Sequence, residues 1–409
     1  MIRLALLVLI LLLSGCAEVS EYVTGEESTE PAELVEFKPT LTVDMVWSAQ
    51  LNPVPLVQDY RLYPIEVEGI VYVAEPEGRI AAYKATNGKL VWETLTKTTI
   101  SGGLGSGNGF IFAGTAHGEV LALDRLNGKI IWRATVSSEV LSAPQAGNNI
   151  VVTHVSDGKV VALNAADGKR LWVNSYTVPS LSLRGTSSPM LWNDKVIVGL
   201  SNGKLVALDL FNGKALWETT IAVPRGRSEL ERMVDIDAAI QVWENIGYVV
   251  SYQGRIAAVD LNNGQILWAR DMSSYRDIAV DKTQLYVTDV HSQVWALDRS
   301  SGATLWRQDK LKNRSLTAPV VQKDYVVVGD FKGFLHWLGR EDGRMVARVD
   351  LEGAYNRAAQ EGTVQDIDEE DQPNDFKVNV GINAAPIVNG NRIFVTDKRG
   401  VLAAYQINK

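Results

Sequence analysis

From Val43 onward the chain alternates short apolar runs with tight polar turns, and the alternation recurs at a fixed spacing. In one copy, Val196-Ile197-Val198-Gly199 is a β-branched run and Asn202-Gly203 a turn. Lys204 to Asp209 then alternates apolar with polar positions, Phe211-Asn212-Gly213 turns again, and Lys214-Ala215-Leu216-Trp217 opens the next run. Asn-Gly between alternating runs is a strong hairpin signal. Upstream, Ser188-Pro189-Met190-Leu191 supplies one more strand, with Pro at its start, where a missing N–H is tolerated. The pattern therefore predicts four antiparallel strands per unit.

The same frame, a Gly, an apolar run often ending in Leu-Asp, a second Gly and a Trp, occurs seven times. The copies are Gly78…Gly88…Trp92, Gly118…Gly128…Trp132, Gly158…Gly168…Trp172, Gly203…Gly213…Trp217, Gly254…Gly264…Trp268, Ser292…Gly302…Trp306 and Gly333…Gly343…Ala347, the first position in each lying 14 residues before the last. A repeat of about 40–50 residues with strand patterning predicts a β-propeller. Of the 11 Trp residues, seven (Trp47, Trp92, Trp132, Trp172, Trp217, Trp268, Trp306) hold one repeat position. They are read as wedges between neighbouring blades, since one indole buries roughly 150–250 Å². Gly400 to Tyr405 is a third strand without a fourth, and Val43 to Trp47 is a fourth strand without a blade. Pairing them closes the ring. The expected fold is all-β, an eight-bladed propeller over residues 41–409. Ala347 marks the junction expected to have the weakest wedge.

The N-terminus reads differently. One basic residue, Arg3, precedes an apolar run from Leu4 to Leu13, too short to span a bilayer, so residues 1–15 are expected to be a removable signal peptide. Leu13-Ser14-Gly15-Cys16 resembles a bacterial lipobox, which implies lipidation of Cys16, the only Cys in the chain. Ala17, in place of Asp, implies delivery to the outer membrane on its periplasmic side. Several acyl chains, at about 0.8 kcal/mol per buried CH₂, anchor stably. Residues 16–40 are acidic and polar and are expected to be a flexible tether. A net charge of −8 argues against a nucleic-acid partner.

Because the repeats keep their length, insertions carry information. The connections from each blade's outer strand to the next blade's inner strand lie on one face, and their lengths vary: Trp47 to Pro64 and Trp172 to Pro189 are 17 apart, Trp217 to Ile240 is 23 and Ala347 to Pro386 is 39, against 10–13 elsewhere; three of the longer ones draw attention. Binding residues concentrate on loops carried by rigid scaffolds. The first loop, Pro179 to Gly185, holds Leu181, Leu183 and Arg184, an apolar pair beside a donor fork. The second, Arg227 to Asp237, holds Glu231, Asp235 and Asp237, read as an acidic rim with Arg232 as internal partner. The pair fits a modest protein interface; equally, the two Leu side chains could plug the propeller mouth with the charges solvated. The third, Glu352 to Asn379, acidic at Asp366 to Asp371, lacks calcium-loop spacing and reads as a solvated or disordered excursion, with an adhesive acidic patch for a basic partner as the second reading.

Enzymatic signatures are missing from the sequence. His117, His154, His291 and His336 show no metal-ligand spacing, and no nucleophile-elbow or P-loop motif occurs. The recurring Asp124, Asp209, Asp260 and Asp298 are expected to cap turns. No metal and no cofactor is expected.

The Ala-Leu-Asp-x-x-x-Gly-x-x-x-Trp frame resembles the blades of quinoprotein dehydrogenases, but the Cys pair and the calcium set of those enzymes are not found. The whole chain, with its lipobox, acidic tether, eight repeats and two special loops, resembles the BamB family of outer-membrane lipoproteins of the β-barrel assembly machinery. Ser180 to Gly185 is similar to that family's BamA-binding loop, and Glu231-x-x-x-Asp235-x-Asp237 to its acidic companion. The resemblance implies a non-enzymatic scaffold in which Leu181, Leu183 and Arg184, assisted by Asp235 and Asp237, contact a periplasmic POTRA domain of BamA. Capture of unfolded barrel precursors by strand addition is a second binding role, and a pyrroloquinoline-quinone dehydrogenase the alternative of a different class.

Overall fold

The computed structural model describes residues 29–52, 60, 62–360 and 381–408. Cys16, the signal peptide, the tether before Thr29 and the acidic run Asp366–Asp371 lie outside these residues. The described residues form eight four-stranded antiparallel sheets, each ordered as the sequence runs except at the seam. There Thr42–Gln50 pairs antiparallel with Val401–Asn408, from Thr42 opposite Asn408 to Gln50 opposite Val401. The N-terminal strand thus completes the C-terminal blade, as the sequence predicts. Eight apolar clusters, each drawn from two consecutive blades, close the ring.

A single device joins most blades. Each wedge indole donates its Nε1–H to a carbonyl of the next blade, from Trp47 to Ala85 (3.0 Å), Trp132 to Ala165 (2.9 Å) and Trp172 to Leu210 (2.8 Å) through to Trp306 to Arg340 (2.8 Å). The ring lies flat on the second Gly of that blade's repeat. At Gly168, φ is +71° and a Cβ would sit 2.7 Å from the Trp132 ring, so the position requires Gly for both reasons. The accepting residue is committed twice, because its own N–H bonds back to the first hairpin of its blade, as Ala85 does to Gly69 (2.9 Å) and Ala165 to Asn149 (2.9 Å).

Every outer strand carries a β-bulge just before the wedge position. Ala162 faces Trp172 while Leu163 faces Arg170, leaving Leu171 as the extra residue; Val91, Ile131, Leu216 and Leu267 occupy the same place. The bulge turns the indole into the seam and leaves its neighbour exposed at the rim. Bulged edges resist pairing with another strand, which weighs against capture of precursors by strand addition there.

The junction at Ala347 is built differently, and the reason is covalent. In the last blade the third and fourth strands are not joined by a turn, so no second Gly exists for an indole to rest on. Buried Gln322 bridges instead, donating to Asn391 O (2.8 Å) and accepting from Trp337 Nε1 (2.8 Å). The helix Glu352–Gln360, where a solvated excursion was expected, adds Ala354 to this core beside Leu351 and Ile382.

The start of the chain also departs from expectation. Residues 30–40, read as tether, are bound along the seventh blade. Ala32 N–H donates to Lys312 O (2.9 Å), Arg314 and Arg348 donate to the carbonyls of Ala32 (2.9 Å) and Val35 (3.1 Å), and Thr40 N–H reaches Val346 O (2.9 Å). The two arginines surround a buried Asp330–His336 pair (3.1 Å), and Phe37 stacks on Arg348. Composition reads this stretch as polar; the carbonyls that hold it are invisible to composition.

Candidate functional site

Both special loops emerge on one face, between the third and fourth and the fourth and fifth blades. Leu181 is 41% exposed, Leu183 half-buried and Arg184 exposed. Arg184 is already engaged: Nη2 reaches Glu139 Oε1 at 2.9 Å and the guanidinium lies 5.1 Å from the Tyr60 ring centre. Glu139 and Tyr60 come from two other loops of the same face, and sequence reasoning missed both.

The acidic companion does not form a rim. Asp235 is fully buried and Asp237 is 8% exposed. Alternation explains it: Val234, Ile236 and Ala238 also face the core, because this loop dives between two blades, with Ile236 packed among Ile197, Val249 and Leu261. Asp237 lies directly under Gly185, where a Cβ would come 2.5 Å from Oδ2. Burial pushes the Asp235 carboxyl up to about 6, offset in part by the Leu183 backbone N–H and the Ser201 hydroxyl. The two carboxylates therefore support the Leu183–Gly185 backbone from below. Further ties come from Ser187 Oγ to Ala238 O (3.0 Å) and from Ser180 Oγ to Glu229 Oε2 (3.1 Å).

Of the charges expected at the rim, Glu231 alone stays on the surface. It serves the turn rather than pairing with Arg232. Its carboxylate accepts the N–H groups of Arg227 (2.7 Å) and Ser228 (3.1 Å), and the Ser228 hydroxyl accepts the N–H of Glu231 (3.2 Å). This reciprocal Ser-x-x-Glu box fixes one helical turn.

The mouth of the central channel opens beside Arg184 as a cavity of about 100 Å³, lined in part by Tyr60, Ser142, Asp237 and Asp277. Pockets for cofactors and drug-sized ligands run to roughly 300–1,000 Å³. His154, buried nearby, donates its Nδ1–H to Ser187 O (3.2 Å), and burial lowers it to about 4, so it is neutral at physiological pH. Among the described residues no three His, Cys, Asp or Glu side chains come together as metal ligands would. The repeat Asp residues cap turns, Asp124 accepting from Leu126 and Asn127 and Asp298 from Ser300 and Ser301.

A family model described as outer membrane protein assembly factor BamB matches residues 76–308 and 296–409. The outer membrane protein assembly factor BamB of Pseudomonas aeruginosa is 40% identical over 404 residues, covering 98% of each chain. The chain belongs to the BamB family. Among solved structures, BamB from Moraxella catarrhalis is similar with a TM-score of 0.76 at 23% identity, over 89% of this chain and all of that one. The propeller architecture is shared more widely. A quinohemoprotein alcohol dehydrogenase from Comamonas testosteroni aligns with a TM-score of 0.66 at 13% identity, over 89% of this chain and 76% of the enzyme, a likeness of fold alone.

Proposed function

We propose that the protein is a non-enzymatic scaffold of outer-membrane protein assembly, anchored through Cys16 at the periplasmic face of the outer membrane. In this reading Leu181, Leu183 and Arg184 dock on the POTRA domains of BamA, while Asp235 and Asp237 assist by holding the loop in its binding shape. The observation that carries the reading is an exposed apolar and cationic loop braced from beneath, in a chain related along its whole length to outer membrane protein assembly factors. Bracing matters because a loop ordered before binding loses less entropy on docking.

The test is affinity purification of the tagged protein from mild-detergent membranes, wild type beside Arg184→Ala and Arg184→Glu, with partners identified by mass spectrometry. BamA should be recovered with wild type and lost with the folded variants. Saturable binding of pyrroloquinoline quinone with calcium, coupled to dye-linked oxidation of an alcohol, would sink the scaffold reading.

A further inference from the structure

Around the ring, the described parts of the blade-to-blade loops expose three large hydrophobic side chains: Leu181 (41%), Val223 (62%) and Leu230 (61%). All three fall on two consecutive loops. Single exposed leucines are ordinary on protein surfaces; here they lie on neighbouring loops. Leu230 sits inside the turn fixed by the Ser228–Glu231 box, just before buried Met233 and Val234, and Met233 N–H closes the turn on Leu230 O (3.4 Å). A capped, backbone-satisfied turn that points a leucine at solvent is preorganised for contact.

The two loops also form one unit. Ser180 Oγ bonds Glu229 Oε2 at 3.1 Å, so a side-chain bond between the loops joins the residues immediately before Leu181 and Leu230. We infer that Leu230 is a second apolar anchor of the docking surface, and that Glu229 and Ser180 clasp it to the Leu181 loop so that the partner meets both leucines together. The inference rests on the proposed docking of the Leu181–Arg184 loop and extends it. The partner surface it fits is an apolar strip on a folded domain wide enough to cover two adjacent loops, with room for the Arg184–Glu139 pair at its border. Glu231 is the positioning residue, since it shapes the turn without facing the partner.

The experiment measures binding of the purified BamA periplasmic region to the full propeller, as wild type, Leu181→Ala, Leu230→Ala, Leu230→Glu and Glu231→Ala, with the Tm of each recorded. Leu230→Ala should raise Kd roughly tenfold and Leu230→Glu more, at unchanged Tm, because half-exposed leucines contribute about that much when covered. Glu231→Ala should weaken binding mainly through slower association, as the turn must be ordered first. If Leu181→Ala weakens binding and both Leu230 variants bind as wild type, the second anchor is refuted and the docking loop stands. If wild type does not bind the periplasmic region, the underlying reading falls and takes this one with it.

Discussion

The coincidence of a positive-φ Gly and a neighbouring indole can be separated into its two parts by a matched pair of substitutions. Gly168 (φ +71°) lies against Trp132, whereas Gly109 (φ +83°) has nothing within 4 Å of where a Cβ would be. Gly109→Ala should cost only backbone strain, about 1–2 kcal/mol. Gly168→Ala should cost that strain and also displace the indole, since a Cβ 2.7 Å from the ring cannot be absorbed. Overpacking adds about 1–3 kcal/mol, and weakening the Trp132–Ala165 hydrogen bond about another 1 kcal/mol. The expected difference between the two variants is therefore about 2–4 kcal/mol, read as a shift in denaturant midpoint at constant slope. The double-mutant cycle decides the cause. On a Trp132→Ala background, Gly168→Ala should cost no more than Gly109→Ala, a coupling of about 2 kcal/mol or more. Equal losses for the two single variants, or no coupling, would refute the idea that the repeat Gly exists to seat the neighbour's Trp.

Other outcomes follow from the same geometry. Trp172→Ala, at a buried wedge, should cost about 3–5 kcal/mol, and Trp217→Ala less, because Trp217 is only half-buried; thermal unfolding of the two side by side checks the order. Asp235 has its folded-state value raised to about 6 from an ordinary 3.8, so its protonated form is the one favoured by folding. Its contribution is fully present below pH 3.8 and is lost as pH rises through 6, leaving the carboxylate as a penalty of about 3 kcal/mol at pH 7. Asp235→Asn should accordingly raise Tm at pH 7.5 and leave it unchanged near pH 4. Removing residues up to Phe37 should lower Tm by several degrees, because it uncovers Arg314 and Arg348, whereas removing those before Thr29 should not; differential scanning fluorimetry of the two truncated chains distinguishes them.

The propeller is legible in the sequence because its junction device uses residues that cannot be exchanged. A Gly with positive φ under an indole leaves a fixed spacing that survives everything else in the blade. Trp47 and Val401–Asn408 could be paired from opposite ends for the same reason, since each is half of a unit whose other half is missing. The candidate site is less legible. Leu181, Leu183 and Arg184 stand out as apolar and cationic positions in a polar loop, and the same signal marks Leu230. Asp235 and Asp237 are visible as charges but not as buried charges. Their burial follows from Val234, Ile236 and Ala238 alternating with them on a segment pressed between two blades. Carboxylates on such a segment have no exposed side to take, and composition cannot reveal this.

This division has a mechanical origin. On one face of the disc, in every blade but the last, the residue after the third strand gives its N–H to its own hairpin and its carbonyl to a neighbouring Trp, while the Gly three residues on carries the indole. A residue inserted there would break three contacts and open a junction. On the opposite face the blade-to-blade loops are also tied to the preceding blade, as Val140 N–H is to Thr115 O (3.1 Å) and Ile236 N–H to Leu200 O (3.3 Å), but these bonds lie near the end of each loop, so length can be added before them without loosening the ring. Loop growth is inexpensive in chain entropy, at about 0.6 kcal/mol per doubling. The long loops that gather Leu181, Arg184 and Leu230 therefore occupy the face where the fold tolerates change, and the buried Asp235 and Asp237 record what it takes to make an inserted loop rigid. A carboxylate held near the Leu183 backbone at a cost in stability makes sense for a loop whose shape matters more than its contribution to folding.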